Sequence, residues 1–180
     1  MAKQTDEDLL NTFKSDPYKG FDLIVSTYQE RLYWHVRKMV IDHDDANDIM
    51  QNVLVKIWKG LANFRAESAL FTWLYKIATN ETLTFLKQKK NKFSTSITEL
   101  EGQLPGGTDS ESLISGDEIQ IRLQLAIQRL PEKQRTVFNM RYFEEMKYEK
   151  MSRILSTSEG ALKASYHHAV KKIEAYFSRD

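Results

Sequence analysis

Apolar side chains recur at intervals of three and four residues along most of the 180-residue chain, which is the spacing of one helix face. In the first half they form three stripes, and Asp44 or Asp45 is placed to cap the second helix. The stripes contain Phe21, Ile24, Val25, Tyr28, Leu32, Val36, Met39 and Val40; Ala46, Ile49, Met50, Val53, Leu54, Ile57 and Trp58; and Phe71, Leu74, Tyr75, Ile77, Ala78, Phe85 and Leu86. The pattern predicts a bundle of three or four helices.

The second half contains four further segments with helical periodicity. A helix over 119–130 is followed by Pro131, which suits the first turn of the next helix because its missing N–H needs no partner there. That second helix includes Tyr142. A short helix then ends near Leu155, and after three residues a longer, basic helix begins at Glu159. A short helix, a tight turn and a longer helix are the arrangement of a helix-turn-helix.

Between the two halves, residues 93–116 read FSTSITELEGQLPGGTDSESLISG, rich in Ser, Thr and Gly. A stretch of this length without helical periodicity indicates a linker or a functional loop. Residues 93–118 carry six acidic side chains and no basic one, whereas 1–92 carry 14 basic and 12 acidic and 119–180 carry 12 and seven. The sequence therefore predicts an all-α fold of two small helical domains. The first is an N-terminal helical bundle over 1–92, and the second is a C-terminal four-helix domain with the helix-turn-helix over 119–180. A flexible acidic linker over 93–118 joins them.

Composition narrows the possible functions. The chain has no Cys, which excludes disulfides, thiolate catalysis and Cys-ligated zinc or iron–sulfur sites. No apolar run approaches the roughly 20 residues that span a bilayer, and the first ten residues are polar, so we expect no membrane insertion, no signal peptide and a cytoplasmic location. His167 and His168 are adjacent and point about 100° apart on a helix, so they do not form a chelating pair. With no phosphate loop or nucleophile elbow present, we expect no metal, no cofactor and no enzyme activity.

Three segments, in order along the chain, resemble known motifs. They are DANDIMQNV over 45–53 followed by KIW over 56–58; FRAESALFTWLYKIATN over 64–80; and LPEKQR over 130–135 followed by RYFE over 141–144. The first resembles the core-polymerase-binding segment of bacterial RNA polymerase sigma factors, the second their promoter-melting segment, and the third the start of their last domain. Two such domains joined directly are similar to the extracytoplasmic-function (ECF) group of the sigma-70 family.

The resemblance implies a polymerase-binding face on the second helix. By spacing alone, Asp45, Asp48 and Asn52 lie at i, i+3 and i+7 and share one face. By composition alone, that pattern is more typical of a solvated acidic first turn. In sigma factors this face docks on the clamp helices of the polymerase β′ subunit, so the resemblance implies polymerase contacts by Asp45, Asp48, Gln51 and Asn52. The polymerase β subunit is expected as a further contact.

The resemblance also implies a site for the melted minus-ten strand. Phe71, Trp73 and Tyr75 alternate around their helix, which predicts that they do not all face one core, although core packing is the alternative. Aromatic rings beside cationic side chains suit unpaired bases, with stacking worth about 1–3 kcal/mol per base. The implied residues are Phe64, Arg65, Ser68, Trp73, Tyr75, Lys76, Asn80 and Lys87. The following run, Lys87, Lys89, Lys90 and Lys92, is either a phosphate track or a solvated helix end.

In the last helix, the resemblance implies that Lys163, Ala164 and His167 face the bases of the minus-thirty-five element. The full implied set is Ser158, Lys163, Ala164, Ser165, His167, His168 and Lys171. Ser156 stands where the family often has a turn Gly, which predicts a residue with positive φ. Ser165 and His168 stand where Arg is frequent, which removes charge that would bind phosphate.

The sequence thus predicts a sigma factor whose partners are core RNA polymerase, promoter DNA and an anti-sigma factor. The acidic linker is expected either to thread toward the polymerase active-site cleft or to serve as a solvated tether. The first alternative is a stand-alone helix-turn-helix regulator whose N-terminal domain binds a partner or an effector. The second is an enzyme acting on nucleic acid, which needs clustered carboxylates or an activated nucleophile, and neither is visible.

Overall fold

The computed structural model describes residues 5–89, 97–102 and 116–178, and these residues contain helices and no strand. The predicted all-α fold is confirmed. The first part of the chain forms α1 (Asp6–Ser15), α2 (Pro17–Met39), α3 (His43–Leu61) and α4 (Leu70–Gln88); the second forms α5 (Gly116–Gln128), α6 (Glu132–Tyr142), α7 (Tyr148–Leu155) and α8 (Glu159–Phe177). Among the described residues, no helix has both the length and the apolar character that crossing a membrane requires.

The starts of α1, α2, α3 and α8 are fixed by side chains that accept hydrogen bonds from backbone N–H groups left without partners in the first turn. Thr5 and Asp8 form a reciprocal capping box that opens α1, a helix that the apolar pattern did not predict. Asp42 caps α3 by accepting from the Asp44 N–H at 2.8 Å. The prediction of Asp44 or Asp45 as this cap is therefore wrong, because both lie inside the first helical turn.

The predicted apolar stripes form the core of the first four helices. Ile24, Val36, Ile49, Val53 and Leu74 are each no more than 1% exposed. α1 crosses α2 closely at a glycine, adding Leu9 and Phe13 to the same core. The first four helices are therefore one bundle, to which we refer as the first block.

Helices α5 to α8 form the second block, and its last two helices are the predicted helix-turn-helix. Ser156 ends α7 with φ 50° and ψ 44°, which is the left-handed conformation expected at this position. Ser158 then caps α8 by accepting from the Ala161 N–H at 3.3 Å. Apolar side chains of α5, α6 and α8 and of the connection between α5 and α6 pack together, namely Ala126, Ile127, Leu130, Phe138, Ala169 and Ile173.

The two blocks pack directly against each other. α7 lies on α4, and α6 lies on α2. Apolar side chains of the second block, namely Val137, Met140, Met146, Met151, Ile154 and Leu162, belong to the same buried cluster as the core of the first block. The described arrangement is therefore closed, a feature that the sequence did not predict.

The predicted linker over 93–118 lies mostly outside the described residues, as do Lys90 and Lys92. The linker was expected to contain no helix, but its described parts are largely helical. Residues 97–101 are helical with Leu100 buried, and α5 already begins at Gly116. Glu101 forms an ion pair with Arg129. This contact attaches the short helix to the residue that follows α5.

Candidate polymerase and nucleic-acid interfaces

The outer side of α3 presents polar side chains. Asp48, Gln51 and Asn52 are exposed, while Ile49 and Val53 are buried on the other side.

Asp45 differs from the expected exposed face, since only 9% of it is exposed. It lies four residues before buried Ile49 and therefore shares the buried side of the helix. The exposed part of the predicted polymerase face is thus limited to Asp48, Gln51 and Asn52.

The loop between α3 and α4 combines an aromatic pair with exposed polar residues. The Phe64 and Trp73 rings lie 5.0 Å apart between centroids and are both half-buried. Arg65 and Ser68 are exposed in the same loop, and Ala66 between them has φ 56°. The loop therefore offers aromatic surface and cationic charge side by side.

α4 has an apolar side and a polar side. Lys76, Asn80 and Lys87 are exposed at spacings of four and seven residues, which places them along one face. Glu81, the one acidic residue in α4, forms an ion pair with Lys56 of α3. The exposed face of α4 is therefore basic and polar.

The aromatic residues of α4 point to two sides of the helix, as their alternation predicted, but Tyr75 is not on the exposed side. Phe71 and Tyr75 are four residues apart, so they lie on one side of the helix, where their rings stack at 4.1 Å in the core. Trp73 points to the other side, toward Phe64. Tyr75 is only 1% exposed, so in this arrangement it is not available to a base.

Two of the predicted minus-ten residues lie beside the second block. The Lys76 Nζ lies 3.5 Å from Ser156 Oγ in the helix-turn-helix turn. Burial, and then the charge of Glu144, raise the pKa of the Tyr75 hydroxyl. Arg31 and Lys150 lie over the Phe71 ring, at 4.8 and 3.3 Å from its centroid.

α8 exposes the residues implied as minus-thirty-five contacts. Lys163, Ala164, His167, His168 and Lys171 are exposed, Ser158 is exposed at the cap, and Ser165 is half-buried. Leu162, Ala169 and Ile173 are buried on the opposite side, and Val170 is half-buried. The Lys163 Nζ also lies 5.7 Å from the centre of the Tyr148 ring in α7. The outer face of α8 is therefore free of the protein core.

Sequence reasoning missed the polar contacts between the blocks. The side-chain amides of Gln128 and Asn139 both donate to the Lys38 carbonyl, at 3.3 and 3.0 Å, in the last turn of α2. His35 of α2 pairs with Glu144, which follows α6. These partners are 90 to 109 residues apart in sequence, so no local pattern could have indicated them.

An open groove of about 700 Å³ lies between the blocks. Its walls include Tyr33, Trp34 and Phe143, and Arg37 and Lys38 also line it. Trp34 is 52% exposed and Phe143 is 42% exposed. Within the described ranges, no three His, Asp or Glu side chains are grouped so that they could hold a metal ion.

Both halves of the chain match family models. The model described as Sigma-70 region 2 matches residues 24–92, and the model described as Sigma-70, region 4 matches residues 120–173. Together the two matches cover more than half of the chain and leave the predicted linker between them.

Relatives along nearly the whole chain belong to the same family. The RNA polymerase sigma-H factor of Pseudomonas aeruginosa is 28% identical over 182 residues, which is 97% of this chain and 94% of the relative. The ECF RNA polymerase sigma-E factor of Escherichia coli K12 is 27% identical over 183 residues, covering 97% and 95%.

Two solved structures share the fold. One is CnrH in complex with the cytosolic domain of CnrY, with TM-score 0.71, 17% identity and coverage of 98% of this chain and 99% of that chain. The other is the sigma factor RpoE in complex with the anti-sigma factor NepR from Bartonella quintana, with TM-score 0.65, 20% identity and coverage of 90% and 99%. The chain belongs to the ECF group of the sigma-70 family and is a sigma factor that directs core RNA polymerase to promoters.

Proposed function

We propose that three exposed faces divide the work of initiation. The α3 face of Asp48, Gln51 and Asn52 binds the β′ clamp helices. The loop over 62–69 and the outer face of α4 hold the unpaired minus-ten strand, and the outer face of α8 holds the minus-thirty-five duplex.

The observation that supports this division most strongly is the polar face of α4. Its cations Lys76 and Lys87 flank Asn80, and its only acidic residue is already paired with Lys56. Such a face attracts a phosphate backbone, because the charge of the one carboxylate is balanced by Lys56. The Asn80 amide can donate hydrogen bonds to a base edge and accept hydrogen bonds from it. The half-buried Phe64–Trp73 pair adds aromatic surface at the N-terminal end of the same helix.

The mechanism that follows is differential binding. An unpaired strand held on α4 is stabilised relative to duplex, which shifts the melting equilibrium without any bond being made by this chain. α8 supplies the upstream anchor. The chain is thus proposed to act as a binding factor and not as a catalyst, in the cytoplasm where polymerase and chromosome are found.

Replacing Asn80 by Ala tests the melting role. Loss of one or two hydrogen bonds at about 0.5–1.5 kcal/mol each predicts a several-fold fall in open-complex formation on duplex promoters. Transcription with core polymerase on duplex and on pre-melted templates should show the defect on duplex only. Asn11→Ala, at an exposed position of α1, is the matched control and should match the parent.

An equal defect on both templates would reject the assignment to melting. A defect in the Asn11→Ala control would reject it as well.

We also propose an anti-sigma factor as a partner and the groove between the blocks as its binding site. Both structural neighbours were solved as complexes, one of them with a named anti-sigma factor. In this chain the groove combines exposed Trp34 and Phe143 with the cations Arg37 and Lys38. An amphipathic segment with acidic residues beside its apolar face would complement it.

A further inference from the structure

A second cavity between the blocks is lined by cations from both of them. Its volume is about 450 Å³, and its lining includes Arg31 of α2, Lys147 just before α7 and Lys150 of α7. Arg31 and Lys150 lie over the same Phe71 ring, at 4.8 and 3.3 Å from its centroid. Among the described residues, no carboxylate forms an ion pair with any of these three cations.

The two cations on the Phe71 ring repel each other. Burial, and then the charge of Arg31, lower the pKa of Lys150, so the charged ammonium is disfavoured in this position. The charge of Asp6 acts in the opposite direction, but the Asp6 carboxylate already accepts from the Tyr28 hydroxyl. An anion placed between the two cations would relieve the repulsion.

The carboxylates that line the cavity do not balance its cations. Glu144 pairs with His35, and Glu149 pairs with Arg153. Glu145 is then the one carboxylate of the described lining without an ion-pair partner. Three cations without an ion pair against one such carboxylate leave an excess of two positive charges, which a dianion would balance.

Two helices begin at this cavity, and neither start is capped by a side chain. The first turn of α4 and the first turn of α7 are both part of the lining. Ala69 precedes α4 and Lys147 precedes α7, and neither side chain accepts from the N–H groups of the first turn. The N–H groups at a helix start and the helix dipole both favour an anion.

A buried hydroxyl at the same place points to a ligand. Thr72 of the first turn of α4 is 5% exposed and lines the cavity, yet its hydroxyl has no hydrogen-bond partner in the described part of the chain. Thr79 and Thr82, the other buried threonines of α4, donate to the carbonyl four residues earlier. A buried hydroxyl without a partner is unfavourable, and an acceptor oxygen in the cavity would pair with it.

We propose that this cavity binds the phosphoryl group of a small phosphorylated molecule between the two blocks. The phosphoryl oxygens accept from Arg31 and Thr72 of the first block and from Lys147 and Lys150 of the second. The planar guanidinium matches two phosphoryl oxygens, while the lysines act as point charges. The volume is within the range of small-molecule sites and leaves room for an organic part of the ligand.

Such a ligand favours the closed form, because its partners come from both blocks. Binding therefore shifts the population toward the closed form as the ligand concentration rises above Kd. In the closed form Lys76 of the proposed minus-ten face lies against Ser156. The effect on DNA rests on the proposed function, whereas binding of the anion does not.

The first test is a calorimetric titration of the isolated full chain with inorganic phosphate and with glycerol phosphate, at constant ionic strength set by sodium chloride. Saturable binding of either probe supports the proposal. The tighter of the two shows whether free phosphate or a phosphate ester is the better ligand. Absence of saturable binding with both probes would overturn the proposal.

Variants distinguish a defined site from general attraction to a cationic surface. Arg31→Gln and Lys150→Gln each remove a charge-assisted hydrogen bond, so binding should weaken about tenfold or more. Thr72→Val should weaken binding by a few-fold and leave the stability of the ligand-free chain unchanged, because no hydrogen bond within the described chain is lost. Lys19→Gln on α2 and Lys133→Gln on α6 remove exposed cations elsewhere and should bind like the parent. Equal losses in these controls would overturn the site.

Hydrogen exchange tests whether the anion holds the blocks together, since it detects rare openings. Inorganic phosphate at ten times Kd should slow the exchange of the most protected α7 amides by up to about tenfold, and the effect should be lost in Lys150→Gln. Phosphate binding without slower α7 exchange would place the anion away from the block interface and overturn the proposal. Neither polymerase nor DNA is present in these measurements, so failure of the anion site and failure of the transcription assays are distinguishable.

Discussion

At the scale of single residues, three non-glycine residues hold left-handed backbone conformations. Ala66, Glu145 and Ser156 have φ of 56°, 50° and 50°. This conformation costs an L-residue with a Cβ about 1–2 kcal/mol. Ala66 lies in the loop before α4, Glu145 follows Glu144, whose carboxylate pairs with His35, and Ser156 lies in the turn before α8. The strain is therefore located in connections that position proposed functional surfaces.

Replacing Ser156 by Gly should stabilise the chain. Glycine relieves the left-handed strain but loses more freedom on folding, so we expect a net gain of about 0.5–1 kcal/mol in the free energy of unfolding. Equilibrium urea unfolding measures it. Ser156→Ala retains the Cβ and should change stability by less than about 0.5 kcal/mol. If the glycine variant is less stable, the contacts of the Ser156 side chain add more to the free energy of unfolding than the left-handed backbone takes away.

At the scale of helices, the contact of α1 with α2 depends on Gly20. A Cβ at Gly20 would lie 2.2 Å from the Phe13 Cα, so the two helices would have to move apart. Gly20→Ala should lower the free energy of unfolding by about 3 kcal/mol, since a backbone atom cannot yield as a side chain can. Gly160→Ala is the control, because no atom lies within 4 Å of its Cβ position.

The same experiment can distinguish local from global effects. Hydrogen exchange should show faster exchange in α1 amides of the Gly20→Ala variant, because α1 packs chiefly on α2. Unchanged stability together with protected α1 amides would contradict the close approach.

The exposed face of α3 gives a second prediction at this scale. Asp48→Ala with Gln51→Ala removes two exposed polar side chains, and we expect core polymerase to bind about tenfold more weakly if each contact is worth about 0.7 kcal/mol. The fold should be retained, because exposed helical positions tolerate Ala. The matched control is Asp22→Ala with Gln29→Ala, two exposed residues of α2. Equal affinity of the two double variants in a binding titration would remove α3 from the interface.

The helices illustrate what the sequence could and could not predict. Long apolar stripes located α2, α3 and α4, because each buries many residues at regular spacing. α1 was missed because its stripe contains only two buried residues, Leu9 and Phe13. Asp45 was assigned to the exposed face by its spacing from Asp48 and Asn52, although its spacing from Ile49 places it on the buried side. The periodicity within a helix predicted which residues are buried, but it did not predict which other helix covers each buried side.

At the scale of the whole molecule, the closed arrangement depends on contacts that no local pattern encodes. The apolar cluster that spans both blocks and the amides on the Lys38 carbonyl join residues about a hundred positions apart. Because α7 contacts α4 while α8 faces outward, closing the blocks covers part of the proposed minus-ten surface and leaves the proposed minus-thirty-five surface exposed. The two DNA surfaces are therefore unequally available in this form.

The exposed α8 surface leads to a prediction that only the complete holoenzyme can test. Lys163 and His167 are four residues apart on the outer face, and the Lys163 Nζ lies near the Tyr148 ring. If Lys163 donates to a base, Lys163→Ala should cost about 1–3 kcal/mol and relax the preference at one position of the upstream element. If it binds a phosphate, all sequences should weaken alike and the salt dependence should fall by about one unit of slope. We expect the base contact, because Lys163 lies in the N-terminal part of a helix of helix-turn-helix geometry.

Transcription by holoenzyme on single-base variants of the upstream element distinguishes a base contact from a phosphate contact. The control is Lys133→Ala, which removes an exposed cation of α6. A uniform loss across the variants would assign Lys163 to the phosphate backbone.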